Sequence, residues 1–361
     1  MAAMDSFLIT VDGSEHEVSA GTVQRLLDIS ARFWLDLTGM DKTTADALLR
    51  DTFGFHPLAV RDAEHFGQRP KIDPYDHFTL MVVYGATSSG RLIEVHCFYT
   101  ETYLVTVHRQ ACPELTALAR RLKQRAEPRP DHVMLLYLVV DTLIDGYFPV
   151  LAGLDDRIDQ LEDAILQRPT DEQLGQLFDM KRSLIAMRKV VTPQRDMFAT
   201  LASGTDALPG MTPDAERYYR SLYDHLIRIS DLVDSYRDLM SGVLDTHLST
   251  VSNRLNVVVK QLTIIATIFL PLSFLTGFFG QNFAWMVNRI TSLPIFLGLG
   301  IGLQVAVAVA LIVVFRRRGW LSGDGTVPPA RPAARPHVTR PERWHLVQPL
   351  KEPLDPSLPT A

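Results

Sequence analysis

Two long apolar segments near the carboxyl end dominate the hydrophobic pattern of the chain. Gln261 to Asn288 and Ile290 to Phe315 contain no Asp, Glu, Lys or Arg, and Arg289 is the one charged residue between them. About 20 helical residues cross the hydrocarbon layer of a membrane, so these runs of 28 and 26 residues are each long enough. A buried helical pair of a soluble core seldom runs so far without a charge. The pattern therefore predicts a two-helix transmembrane hairpin.

Basic residues flank these two segments unevenly. Arg254 and Lys260 precede the first segment and Arg316 to Arg318 follow the second, whereas Arg289 alone lies between them. Because positive charge favours the cytoplasmic side, we expect two spans in the cell membrane with both termini cytoplasmic. No basic, then apolar, then small-residue leader opens the chain, so Met1 to Phe7 is expected to belong to the mature protein.

A heptad-like apolar seam precedes the first segment. Between Leu222 and Val258, apolar residues recur at alternating steps of four and three. The helical pattern has no strong breaker from Asp214 to Phe279, which is 66 residues and roughly 100 Å of helix. A rod of this length cannot bury its own seam. It must pack on the preceding helices or on copies of itself, which predicts an oligomer.

The first 130 residues alternate short strand-like and helix-like segments. Helical spacing occurs over Asp41–Thr52, Pro57–His65 and Pro113–Ala126. Turn formers bound five runs rich in branched and aromatic residues, which are Phe7–Val11, Phe33–Leu37, Phe78–Tyr84, Leu92–Phe98 and Tyr103–Val107. This mixture predicts an α/β domain.

Long helical periodicity follows, first from Asp131 to about Gln167 and then from Asp171 to about Leu201. The segment Asp131 to Glu172 carries ten acidic and two basic residues, which favours a solvated helix face over a surface that attracts divalent cations. The predicted divisions are a cytoplasmic α/β domain (1–130), long cytoplasmic helices (131–210), a stalk helix (211–260), a first transmembrane helix (261–280), an external loop (281–292), a second transmembrane helix (293–315), and a basic juxtamembrane segment with a disordered, proline-rich tail (316–361).

Composition and motifs exclude several classes of protein. The net charge of −5 disfavours a nucleic-acid binder, and the two cysteines, Cys97 and Cys112, have no spacing typical of a disulfide framework or a zinc site. No phosphate loop, zinc-protease, nucleophile-elbow or calcium-loop motif occurs, so we predict neither an enzyme nor ATP-driven pumping, and no cofactor. Single histidines such as His96 and His108 are expected to be structural.

Ordered motifs between residues 33 and 320 carry a resemblance to a known family. Weaker segments are Phe55–Leu58, Gln68–Lys71, Val105–His108 and Asp145–Pro149. The stronger ones are Tyr236–Asp245, Ser252–Asn256, Leu262–Leu272 and Gly280–Phe283. In these motifs the chain resembles the CorA family of divalent-metal transporters. The resemblance implies a funnel-shaped homopentamer, in which the long helix of each subunit lines a central pore.

The resemblance also implies roles for single residues of that helix. It places Gly280, Gln281 and Asn282 at the outer mouth, where the family's turn takes up Mg²⁺ and, in some members, Co²⁺, Ni²⁺ or Zn²⁺. Neutral amide and carbonyl oxygens can hold a hydrated Mg²⁺ ion without trapping it. The implied polar pore lining is Asn256, Ser273 and Asp245, and the implied hydrophobic gate is Val259, Leu262 and Leu270.

Several positions depart from the family pattern. Gln281 stands where the family has Met, and the loop Ala284–Arg289 has no carboxylate that would attract cations to the mouth. Ser221 stands where many relatives have an Asp implicated in sensing intracellular Mg²⁺, so that site is not carried over. The acidic face from Asp155 to Asp163 is a hypothetical substitute.

The second apolar segment has a stripe of small residues, which predicts close packing against another helix. The stripe consists of Gly298, Gly302, Ala306 and Ala310. Gln304 in the same segment is expected to be a packing residue and not a ligand. The resemblance implies an outer support for this span.

The sequence favours voltage-driven magnesium uptake, with divalent ions, the lipid bilayer and copies of the chain as partners. Membrane voltage gives a divalent ion about 4.6 kcal/mol per 100 mV, so it can drive inward flux alone. One alternative is a proton-coupled zinc or other transition-metal transporter of the same family. A second alternative is a non-conducting membrane scaffold, which the altered mouth favours.

Overall fold

A computed structural model of the chain describes residues 6–39, 42–124, 130–281, 284, 288 and 292–320. Its contacts divide the chain into two compact units, Met1–Val251 and Ser252–Ala361. The predicted proline-rich tail and most of the predicted external loop, including Asn282, lie outside the described residues.

A seven-stranded mixed sheet forms the centre of the first unit. The strand order is β2-β1-β3-β7-β6-β5-β4, and β3 and β7 are parallel, whereas every other neighbouring pair is antiparallel. The strands are β1 (Phe7–Thr10), β2 (Glu15–His16), β3 (Phe33–Thr38), β4 (Lys71–Pro74), β5 (Thr79–Ala86), β6 (Leu92–Tyr99) and β7 (Tyr103–His108). All five predicted strands are confirmed, and the structure adds the short β2 and β4.

Eight helices begin in the described part of the first unit. They are α1 (Ala20–Asp28), α2 (Lys42–Ala45, continued by wide π-helical turns over Asp46–Thr52), α3 (Pro57–Glu64), α4 (Pro113–Gln124), α5 (His132–Asp145), α6 (Tyr147–Gln167), α7 (Asp171–Ala202) and α8 (Pro213–Phe279). Helix α1 was not predicted. Its amino end is capped by Ser19, whose hydroxyl accepts a hydrogen bond from the backbone N–H of Thr22.

Alternation along the strands gives the sheet two apolar faces. In β5, Leu80 and Val82 belong to the core shared with α1 and α3. Met81 and Val83 belong to the opposite core, which α4 to α8 share. The period of two along a strand thus places helices on both faces, and the predicted α/β class is confirmed.

The predicted helix from Asp131 to Gln167 is two helices, so this part of the expectation is wrong. Gly146 separates α5 from α6, and a Cβ atom at this position would lie 1.9 Å from the carbonyl oxygen of Ala86. A Cβ at Gly85 would likewise lie 2.7 Å from the carbonyl oxygen of Leu143. The chain breaks where glycine lets it approach β5 more closely than any other residue would allow.

Helix α8 is continuous over 67 residues, as the seam predicted. Within the first unit the seam packs on the preceding helices, because Leu222, Leu226 and Ile229 are fully buried and the burial continues to His247. In the second unit the same seam is exposed, since Leu255 is 65% and Val258 is 59% accessible. The chain itself therefore covers only the first part of the seam.

The second unit contains the end of α8 and a second apolar helix, Leu293–Arg317. This second apolar helix consists of a short turn α9 (Leu293–Ile295), wide π-helical turns over Phe296–Gly302, and α10 (Leu303–Arg317). Its basic end folds back through Trp320, whose ring stacks on that of Phe315 with centroids 5.6 Å apart.

Candidate functional site

Two helices of the described chain combine the length and apolarity of a membrane span with an apolar stretch in which no residue is fully buried. The most apolar 18 residues of α8 and of the second apolar helix have mean hydropathies of 2.0 and 2.5, and none of these residues is buried. The stretch His132–Gln167 is also long and apolar, with a mean hydropathy of 1.6, but half of its window is buried. Since Leu136, Val140 and Leu143 belong to the sheet's core, we assign this stretch to the interior of the first unit.

One face of α8 in the second unit carries most of the residues that the resemblance assigned to a pore. Asn256, Val259, Leu262, Leu270 and Ser273 fall within about 120° of the helix circumference at 100° per residue. All five are exposed, and the three apolar ones are 53%, 66% and 73% accessible in chain order. A row of exposed aliphatic side chains, with an amide and a hydroxyl near its ends, can line a narrow path for a cation.

The opposite side of α8 is partly covered. Ile264, Ile268 and Leu275 are half-buried and lie roughly 160° around the helix from the centre of the exposed face. At Thr276 the second apolar helix supplies a direct contact, because the side-chain amide of Gln304 donates a hydrogen bond of 3.2 Å to the threonine hydroxyl. Thr276 lies about 100° around α8 from the centre of the exposed face, so this contact falls outside the pore-assigned residues. The role of the second apolar helix as an outer support stays a prediction.

The end of α8 forms the described part of the predicted mouth. The backbone N–H of Gly280 donates to the carbonyl of Thr276 at 2.9 Å, and that of Gln281 donates to Phe278 at 3.3 Å. Both residues are exposed. Their bonds satisfy carbonyls of the last helical turn, so a turn at Gly280 and Gln281 follows α8, immediately before Asn282.

Asp245 lies in the part of α8 that belongs to the first unit. It is exposed between the buried residues Val243 and His247. Its carboxylate is free to face solvent or another chain. The structure thus supports an accessible acidic group at this level of the helix.

The stripe of small residues in the second apolar helix is exposed, at Gly298, Gly302, Ala306 and Ala310. The partly covered side of this helix is a different row, formed by Gly300, Gln304, Ala308, Leu311 and Phe315. Within one chain the small-residue stripe does not pack on α8. Its use in packing between copies stays a prediction.

A cluster of metal-ligand type that sequence reasoning missed lies between α5 and α8. Asp141 and Asp145 lie one turn apart on α5, and a carboxylate oxygen of each lies 4.0 and 3.9 Å, respectively, from the ring Nδ1 of His225. Burial, followed by the charge of Asp145, raises the pKa of Asp141 to about 7, and burial raises the pKa of Asp145. Two aspartates and a histidine can ligate a divalent cation. The signal available in the sequence was the Asp pair at a spacing of four.

Two other sets of charged residues, the aspartates of α6 and the pair His108–Asp36, fit structural roles. The side chains of Asp155, Asp156, Asp159 and Asp163 are exposed on α6, as expected for a solvated face. His108 is buried and its Nε2 lies 3.0 Å from the Asp36 carboxylate, whose charge helps to raise the histidine pKa against the opposing effect of burial. This buried pair links β7 to β3, which is the structural role expected for His108.

Comparisons with known proteins agree with this geometry. The chain matches the family described as CorA-like Mg²⁺ transporter protein over residues 31–317. The cobalt/magnesium transport protein CorA of Thermotoga maritima is 33% identical over 305 residues, which cover 81% of this chain and 85% of that protein. The zinc transport protein ZntB of Enterobacter sp. strain 638 is 31% identical over 232 residues, covering 63% and 70%, respectively.

Among solved structures, the complete structure of the CorA magnesium transporter from Methanocaldococcus jannaschii superposes with a TM-score of 0.76 at 19% identity. The match covers 89% of this chain and 100% of that one. It establishes the same fold over both the sheet-containing unit and the apolar helices.

Proposed function

The chain belongs to the CorA-like Mg²⁺ transporter family, whose members are membrane transporters of divalent metal cations and not enzymes, and from this premise we propose that it takes up Mg²⁺ through a central pore formed by five copies. The exposed face of α8 is the observation that carries the proposal. A single chain leaves Val259, Leu262 and Leu270 uncovered, and none of the three makes the contact of α8 with the second apolar helix. Several copies can cover this face only by gathering around it.

Ion selection belongs to the mouth in this proposal. Gly280 and Gln281 directly follow the last residue of α8, and Asn282 is the next residue of the sequence. A ring of carboxamide oxygens offers neutral, hard ligands to Mg²⁺, which gives up its water reluctantly and is held best without a tight cage. Deeper in the pore, Asn256 and Ser273 supply further polar groups, while the three aliphatic residues form a gate that opens by wetting.

Membrane voltage is the proposed driving force. In this proposal Arg254, Lys260 and Arg316–Arg318 lie on the inner side of two membrane spans, so both termini face the cytoplasm. The cell interior is electrically negative. A divalent cation then moves inward down its electrical gradient without ATP. Asp245, near the cytoplasmic end of the pore, offers the ion a carboxylate as it leaves.

The test is Mg²⁺ uptake into a host deficient in magnesium transport, and then into proteoliposomes with an imposed inside-negative potential. We expect the wild type to restore growth and Asn282→Ala to lower uptake at limiting Mg²⁺ by about tenfold or more, because the mouth loses a ring of ligands. Asn288→Ala is the matched control, since it removes an exposed carboxamide from the same loop. Equal uptake by the wild type and Asn282→Ala would contradict the assigned mouth.

A second candidate is proton-coupled transport of Zn²⁺ or another transition metal. The observation that favours it is the 31% identity to a zinc transport protein. In proteoliposomes, an inward proton gradient at zero voltage would then drive Zn²⁺ uptake. Under the magnesium proposal, voltage alone drives uptake and the proton gradient alone does not.

A further inference from the structure

We propose that Gln304 is a positioning residue for the ion-binding mouth: by its hydrogen bond to Thr276, it holds the Gly280–Gln281 turn at the end of α8. The inference rests on the proposed function, because it assigns a role in ion binding to a residue outside the pore-assigned face. Gln304 itself contacts no ion in this account.

Thr276 connects the second apolar helix to the mouth. Its hydroxyl accepts the amide of Gln304 at 3.2 Å and donates to the carbonyl of Leu272 at 2.7 Å. Its backbone carbonyl accepts the N–H of Gly280 at 2.9 Å. One residue thus receives the bond from the second apolar helix and also anchors the first residue of the mouth.

The surroundings of Gln304 favour this bond. From Leu303 to Phe315, all side chains except that of Gln304 are aliphatic or aromatic. Gln304 lies in the half-buried row of that helix. A carboxamide in an apolar layer has no water to bond, so it is held by whichever polar group the neighbouring helix presents. On α8 that group is the hydroxyl of Thr276.

The backbone of Gly280 packs closely against Thr276, so the position of the turn depends on that of Thr276. A Cβ atom at Gly280 would lie 3.0 Å from the carbonyl oxygen of Thr276, so the backbone of the turn sits directly against that oxygen. A shift of Thr276 therefore shifts Gly280 with it. Because Gln281 follows, and then Asn282, a small displacement of this turn changes the radius of a ring of ligands repeated in every copy.

A double-mutant cycle tests the inference in proteoliposomes driven by an inside-negative potential. Gln304→Met keeps the length of the side chain and removes its donor, and Thr276→Val keeps the shape and removes the hydroxyl. We expect each change to raise the half-saturating Mg²⁺ concentration about three- to tenfold, with a maximal rate within about twofold of wild type. The double variant should be no worse than either single one, because both remove the same bond.

Two matched variants separate positioning from other effects. Thr267→Val removes a hydroxyl that makes the same bond to the carbonyl four residues earlier, at Thr263, so it should leave half-saturation unchanged. Thr276→Ser retains the hydroxyl and should stay near wild type.

Three results would overturn the inference while the wild type transports: unchanged half-saturation in Gln304→Met, additive effects of the two changes, or a fall in maximal rate alone. If the wild type carries Zn²⁺ in place of Mg²⁺, the cycle measured with Zn²⁺ decides in the same way. A wild type that carries no cation refutes the proposed function itself and, with it, this role of Gln304. The wild-type trace thus distinguishes the two failures.

Discussion

A single residue, Asp141, makes the stability of the first unit depend on pH. Its pKa of about 7, raised by burial and by Asp145, means that the folded protein holds a proton that the unfolded chain releases near pH 4. Stability should therefore fall as pH rises from about 4 to 7 and then level off. We expect Asp141→Asn to reduce this dependence of stability on pH. At pH 8 the variant should be more stable than the wild type by about 1–2 kcal/mol.

Thermal unfolding of the detergent-solubilised protein between pH 5 and 8 measures the effect of Asp141. EDTA is included so that no cation bound by the two aspartates and His225 offsets their repulsion. Asp163→Asn, an exposed change on α6, is the control and should leave the slope as it is in the wild type. An unchanged slope in Asp141→Asn would refute the interpretation.

At the scale of elements, the junction between α5 and α6 makes the strongest prediction about stability. Gly146→Ala would bring a methyl group to 1.9 Å from the carbonyl oxygen of Ala86, so the helix pair must move off the sheet. We expect a loss of about 3 kcal/mol or more, measured as a lower unfolding temperature. Gly153→Ala in α6 has open space around the new methyl and should stabilise the protein by up to about 1 kcal/mol. Similar effects of the two changes would contradict the close approach.

This junction also marks the limit of what the sequence could predict. Local patterns identified the five apolar strands and the continuous α8, because the period of burial is written into neighbouring residues. The break at Gly146 depends on Ala86, which is 60 positions away, and the helical periodicity continues across it. Likewise, Gln194 of α7 is fully buried because its side chain bonds both the N–H and the C=O of Tyr84, a partner that no local pattern reveals.

At the scale of the whole molecule, the pore-assigned residues of the second unit could be named from motifs, and α8 brings them to one exposed face. The bond between Gln304 and Thr276 could only be read from the structure, because two helices must first be placed side by side. The cluster of Asp141, Asp145 and His225 was missed for the same reason, since His225 is 80 positions beyond Asp145. Sequence motifs thus suffice to predict an ion path, whereas contacts between distant residues, such as the bond of Gln304 to Thr276, appear only in the folded structure.

The exposed aliphatic face of α8 predicts how an assembled pore would be closed. If copies gather around this face, a ring of Leu270 side chains excludes water, and a hydrated ion crosses only when the ring widens. Leu270→Asn replaces the ring with amides that hold water, so we expect ion uptake at low driving force to rise about three- to tenfold. Mg²⁺ uptake by proteoliposomes at small inside-negative potentials, followed with a fluorescent Mg²⁺ indicator inside the vesicles, measures this change. Ile265→Asn introduces the same side chain at an exposed site on another side of the helix and should give no such rise. Equal effects of the two changes would place the closure elsewhere than at Leu270.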